Sequence, residues 1–241
     1  MNMKKEQEIP HRMIYAYDPN TNDFKIFQNP DDWKAQMTTE GAKNYLAKHL
    51  MESVKNEFTP AKKAYIEDTT KTKVGKGFFG SLRILFPTIT FLGTLYKGKD
   101  KSKNAIYFME KYMGDVNPKY KHVSDLIYKV YRHGLMHTQM PKVSEIKGKI
   151  VGWKITYNDN EHLNISESND MVTIPISLNS FYQDLIKAVK KYINDFDDPK
   201  KNSELLKNFR EGFLEMAEVV NESKLRKKCP KGVRYIRNLR R

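Results

Sequence analysis

The chain has 241 residues, 39% of them hydrophobic and 30% charged, with a formal net charge of +14 and a single cysteine, Cys229. That length supports one large domain or two small ones with a sizeable core, and the composition is that of a soluble globular protein. One cysteine excludes an internal disulfide framework and a multi-cysteine zinc site and suits a reducing cytoplasm, and the polar start "MNMKKEQEIPHRM" lacks the apolar segment of a secretory signal, so a cytoplasmic location is expected.

In chain order, "RMIYAYDPNTNDFKIF" (12–27) predicts a β-hairpin, with strands at Met13–Tyr17 and Phe24–Phe27 around a turn of Asp, Pro and Asn. "NPDDW" puts acidic residues where a first helical turn favours them, and a helix from about Asp32 toward Glu57 is expected. Residues 58–77 start as a further helical piece and pass into a polar, glycine-containing connection. "FFGSLRILFPTITFLGTLY" (78–96) is the most apolar run, but Arg83 and Pro87 interrupt it. Its strongest residues, Phe78, Leu82, Leu85, Ile89, Leu92 and Tyr96, form one stripe, which marks a core helix rather than a membrane span.

Gly98 stops that helix, and Ser102 is the expected N-cap of the next, with Ile106, Met109 and Met113 on one face. After "GDVNPKY" a helix starts near Pro118, buries Val123, Leu126, Ile127 and Val130, and closes at Pro141. The pattern then alternates: Val151, Trp153, Ile155 and Tyr157, then Leu163 and Ile165, then Val172, Ile174 and Ile176, with polar breaks between. A three-stranded antiparallel β-meander at about 149–177 is the expectation. Two helices follow, striped by Leu178, Phe181, Leu185, Val189, Tyr192 and Phe196, and by Leu206, Phe209, Phe213, Met216 and Val220. Three regions result: an arm with the hairpin (1–30), a mainly helical domain with the meander inserted (31–222), and a basic tail (223–241).

The tail holds nine basic residues and no acidic one: Lys224, Arg226, Lys227, Lys228, Lys231, Arg234, Arg237, Arg240 and Arg241. Such a segment is either a nucleic-acid contact or a solvated, disordered end. Tyr235 and Ile236 give it some surface for stacking or docking.

Three of the six histidines lie between positions 122 and 137, and "VYRHGLMHTQMPK" (130–142) sets Arg132, His133 and His137 together. On one α-helix His133 and His137 share a face, whereas Arg132 stands about 140° from His137. A single helix therefore aims Arg132 and His137 at one atom only if its last turn unwinds, while a second copy packed across a two-fold axis can bring them together. Gly134 would let that copy approach closely, or it begins the helix end. Three chemistries compete. His137 as acid or base with Arg132 on a phosphate suits internal transesterification of RNA, which carries its own nucleophile in the 2′-hydroxyl. The His133/His137 spacing also fits a zinc pair, but neither the glutamate base of a metalloprotease nor a third ligand accompanies it. The third is structural: histidine and arginine complement the dipole and carbonyls of a helix C-terminus.

"YRHGLMH" resembles the R-x(4–6)-H signature of HEPN domains, a helical family named for higher-eukaryote and prokaryote nucleotide binding, in which a polar residue such as His133 follows the arginine. The stretch also looks like the "YRNGLxH…PK" pattern of bacterial HEPN-like proteins, and the resemblance covers roughly residues 78 to 197. It implies a HEPN-like helical bundle and a metal-independent, cofactor-free endoribonuclease of the toxin or defence kind. Paired motif helices of a homodimer would form one composite site, with Arg132 on the phosphate, His137 as acid/base and His133 assisting. Expected partners are RNA and a possible antitoxin or other protein, with no membrane. Tyr131 or Tyr235 would supply base stacking. The rival from another class is a non-catalytic nucleic-acid-binding or protein-assembly module, its motif helix a structural dimer seam.

Overall fold

A computed structural model of the chain describes residues 13–72, 78–137, 141–168, 171–219 and 222–238. Strand β1 (Ile14–Asp18) pairs antiparallel with β2 (Asp23–Phe27). The turn between them is organised by the buried Asp18, which accepts from the Asn20 N–H and the Thr21 hydroxyl and pairs with Lys25 at 2.5 Å. Helix α1 (Pro30–Gln36) is clamped to this hairpin by the indole of Trp33, which donates to the Tyr17 carbonyl at 2.8 Å.

The helix expected over 32–57 is divided, because Thr38 caps a new start by accepting from the Gly41 N–H. From there α2 (Thr39–Asn44), a π-helical turn (Tyr45–Leu50) and α3 (Met51–Thr72) run without interruption. No break falls at 57–58: Pro60 sits inside α3 and removes one backbone donor. Packing outweighs that loss, since Phe58 lies flat on Tyr182 with centroids 4.2 Å apart.

Helix α4 (Phe78–Lys97) is the axis of the fold, with Leu82, Leu85, Ile89, Leu92 and Leu95 fully buried. It packs against α3, α5 (Ser102–Phe108), α8 (Leu178–Asp195) and α9 (Asn202–Ala217). Two glycines permit the closest of these contacts: a Cβ on Gly93 would stand 2.5 Å from the Ala105 nitrogen, and one on Gly212 would overlap the Thr94 carbonyl. Ser102 is the first helical residue of α5 rather than its cap, and a π-helical turn (Met109–Met113) extends that helix. The motif helix follows as α6 (Tyr120–Ile127), a third π-helical turn (Tyr128–His133) and α7 (Gly134–His137).

The three-stranded meander is not formed. Strands β3 (Ser144–Ile146), β4 (Lys149–Thr156), β5 (Ser166–Ser168) and β6 (Met171–Ser177) make a four-stranded mixed sheet in the order β3-β4-β6-β5. β4 and β6 are parallel neighbours, and β5 pairs antiparallel with β6 on its far side. Burial is the reason. Val151, Trp153 and Ile155 face inward beside Val172, Ile174 and Ile176, whereas β5 is three exposed polar residues and cannot occupy the centre. Leu163, expected in a strand, instead takes a left-handed turn at φ 55° and buries its side chain. The fold is therefore mainly helical with a two-stranded hairpin and a separate mixed sheet.

Every stripe residue assigned to α8 and its cap is buried. In α9 the buried line runs through Leu205, Phe209, Gly212 and Phe213, leaving Met216 exposed, and Val220 lies outside the described residues. The described part of the basic tail is helical: α10 (Glu222–Lys228) and α11 (Pro230–Asn238) pack on each other. No helix among the described residues is long and apolar enough to cross a membrane.

Candidate nucleic-acid interface

The motif helix is fixed near both ends by tyrosines. In its first turn Tyr120 is fully buried, with its hydroxyl 2.9 Å from Nε2 of His162 and donating to Asp184 at 3.2 Å. Nδ1 of His162 accepts the Ser177 N–H at 3.1 Å, which places the proton of a neutral ring on Nε2. Burial and the neighbouring Asp184 carboxylate push the Tyr120 phenol well above its ordinary range. Near the other end, Tyr131 is fully buried and its hydroxyl donates to the Ile174 carbonyl at 2.6 Å. Nothing in the sequence marks His162, and Tyr131, expected to stack on RNA bases, is buried. Its burial in the sheet removes that role.

Arg132 is half-buried, and its guanidinium carbon stands 5.7 Å over the ring of Tyr128, one turn earlier. That ring is itself held: the Tyr128 hydroxyl lies 2.9 Å from Oγ1 of Thr90, and because Thr90 donates to the Phe86 carbonyl, Tyr128 is the donor between them. The arginine is thus supported by a ring tied to the central helix.

Gly134 has helical geometry at φ −62° and bonds the Tyr131 carbonyl, so the helix continues through it to His137 rather than ending there. The Val130 carbonyl accepts the N–H of Lys142 at 2.8 Å, so the chain returns along the helix after residue 140. One-turn π segments often lie at functional sites, but the described residues hold three of them, so the bulge alone does not single out Arg132.

The return of Lys142 closes one wall of a cleft of about 590 Å³ between α5 and the motif helix, whose lining includes Ile106, Asp125, Tyr128, Lys129 and Lys142. Arg132 sits on the same tyrosine that lines it. The lining of the cleft offers an anion two cations, Lys129 and Lys142, and one carboxylate, Asp125. Lys129 and Lys142 were missed in the sequence because a single lysine on a helix surface carries no signal, although the "PK" of the motif stretch is Lys142 itself.

The side chains of His133 and His137 lie outside the described part, so the structure gives only their backbone, in the last turns of the motif helix. Of the tail residues, Arg226, Arg234 and Arg237 line a second cleft, of about 320 Å³, with Pro230 and Val233. Lys227, Lys228 and Lys231 are exposed, and the side chain of Lys224 and residues Arg240 and Arg241 lie outside the described part. Tyr235 is 65% exposed, available for stacking. Among the described residues no three or more His, Cys, Asp or Glu side chains are grouped to hold a metal ion. Comparison of the chain with protein-family models, curated proteins and solved structures finds no significant match.

Proposed function

We propose that the chain is a metal-independent endoribonuclease of the HEPN type, acting at Arg132 and His137. The observation that carries this reading is the support of Arg132: half-buried, held over the Tyr128 ring, beside a lysine-lined cleft. A preorganised guanidinium stabilises phosphoryl oxygens in the transition state without reorganisation, the main source of catalysis in such sites. In the reaction His137 takes the proton of the 2′-hydroxyl, the 2′-oxygen bonds to phosphorus, and the bond from phosphorus to the 5′-oxygen breaks. A protonated imidazole, from His133 or a second copy's motif, gives the 5′-oxygen its proton. A homodimer joined through the motif helix completes the pair, and a toxin or defence role with an antitoxin partner follows from the same resemblance.

A second reading is favoured by the basic helical pair 222–238, which offers RNA a contact with no chemistry of its own. In it the chain is a binding or assembly module and the motif helix a dimer seam. Cleavage of RNA in EDTA by wild type, Arg132→Ala and His137→Ala separates the two, because a binding module cuts nothing in any form.

A further inference from the structure

The cleft beside Arg132 has a counterpart further along the same helix pair. It has a volume of about 530 Å³ and is walled by Tyr96, Lys97, Tyr107, Glu110, Lys111 and Lys121. Neighbouring residues of α5 line the two clefts, Ile106 one and Tyr107 the other. On the motif helix Lys121, Asp125, Lys129 and Arg132 fall at spacings of four, four and three, which is one face. From Lys121 to Arg132 that face is about 16 Å long, room for several nucleotides of a stacked strand at about 3.4 Å each.

The chemistry of the cleft at Tyr107 is that of a base and its phosphate. Most tyrosines near it are core residues, among them Tyr112, Tyr120 and Tyr192, but Tyr107 leaves 43% of its surface in solvent. The Lys97 ammonium stands 4.3 Å over the Tyr96 ring and 6.0 Å from that of Tyr107, so both rings already hold a cation on their faces. Lys111 and Lys121 share one carboxylate, Asp115, at 3.8 and 3.4 Å. These are loose pairs in water, weak enough to give way to a phosphate. Glu110 adds an acceptor, which matches the exocyclic amine of cytosine and not the carbonyl that uracil carries at the same position.

We infer that this cleft is a base-selective subsite for single-stranded RNA, with a nucleobase stacked on Tyr107, its amine on Glu110 and its phosphate between Lys111 and Lys121. The inference rests on the proposal that the chain acts on RNA, and it adds the site that chooses where the strand lies. Phosphate contacts fix position along the groove, and the Tyr107–Glu110 pair supplies the preference that they lack.

The test is fluorescence anisotropy of labelled oligocytidylate and oligouridylate with the full chain. Wild type is expected to prefer the cytidine oligomer. Tyr107→Ala should weaken its binding about fivefold or more, the loss expected for one stacked base. Tyr107→Phe, which keeps the ring, should bind as wild type, and Glu110→Gln should erase the preference. If Tyr107→Ala binds within twofold of wild type, or wild type binds both oligomers equally, the subsite is refuted. An unaffected Tyr107→Ala beside a weakened Arg132→Ala refutes the subsite and leaves the nuclease reading standing. No binding of either oligomer by wild type overturns both.

Discussion

The hydroxyl of Tyr131 stands between two parallel strands, donating to the Ile174 carbonyl at 2.6 Å and lying 3.3 Å from the Lys154 N–H, which donates to it. It enters the ladder beside Pro175, a residue with no N–H of its own to offer. The residue before the candidate catalytic arginine is therefore built into the sheet. Tyr131→Phe keeps the packing and leaves the buried Ile174 carbonyl and the half-buried Lys154 N–H without this partner, so a loss of about 1–3 kcal/mol is expected in urea unfolding. An unchanged midpoint would mean that the sheet does not hold the motif helix.

Asp159 couples the fold to pH. Its carboxylate accepts from the hydroxyls of Ser177 and Ser180 at 2.5 and 2.6 Å and from the Asn179 amide at 3.0 Å, at the N-terminus of α8. These bonds, the Ser177 hydroxyl first, hold its pKa down to about 2 from 3.8. A carboxyl with a lowered folded pKa adds stability that is whole above its unfolded pKa and is lost as pH falls through the folded one. The window runs from about pH 4 down to about pH 2. Asp159 is exposed, so solvent limits the effect to about 1 kcal/mol or less. Thermal melts across that window should fall less steeply for Asp159→Asn than for wild type, and parallel curves would remove the carboxylate from the account.

Two glycines of the central helix should respond oppositely to alanine. At Gly93 the new methyl meets the α5 backbone, which cannot yield as a flexible side chain would, and a loss of about 1–3 kcal/mol is expected. At Gly80 nothing lies within 4 Å, so the same change should be neutral or stabilise by up to about 1 kcal/mol. Melting temperatures of the two variants check this, and equal shifts would contradict the close approach of α4 and α5.

The basic pair of C-terminal helices makes a salt-dependent claim. If it neutralises phosphates of single-stranded RNA, log K falls with log salt by roughly 0.7 per phosphate. Removing residues 223–241 should flatten that slope. A slope equal to that of the full chain would assign the tail another role.

The helical part of the fold was legible wherever apolar residues recur at helical spacing: α4 and α8 lie where their stripes put them, because each buries one continuous face. Helix boundaries were less legible. Thr38 starts a helix through a cap bond that no periodicity reveals, and α3 runs through Pro60 because Phe58 stacks on Tyr182. Strand order was hidden altogether. Alternation marks which residues face the core, but whether β6 pairs beside β4 or beyond β5 depends on which strand can be buried on both sides, a tertiary matter. At the candidate site the sequence supplied Arg132, His133 and His137. It could not supply the cleft between α5 and the motif helix or the Tyr120–His162–Asp184 strut, each of which joins residues distant in the chain.

The most direct test is cleavage of an end-labelled mixed-sequence RNA in EDTA by wild type, Arg132→Ala and His137→Ala, each first shown to be folded. The expected result is cutting by wild type that leaves 2′,3′-cyclic phosphate ends, since the 2′-hydroxyl attacks. Both variants should lose at least tenfold in rate, general acid–base catalysis contributing about 10²–10⁴-fold, while still binding RNA. No cleavage by wild type would contradict the nuclease reading and favour the binding or assembly module, and cleavage that survives His137→Ala within tenfold would remove His137 from the chemistry and contradict the account as stated.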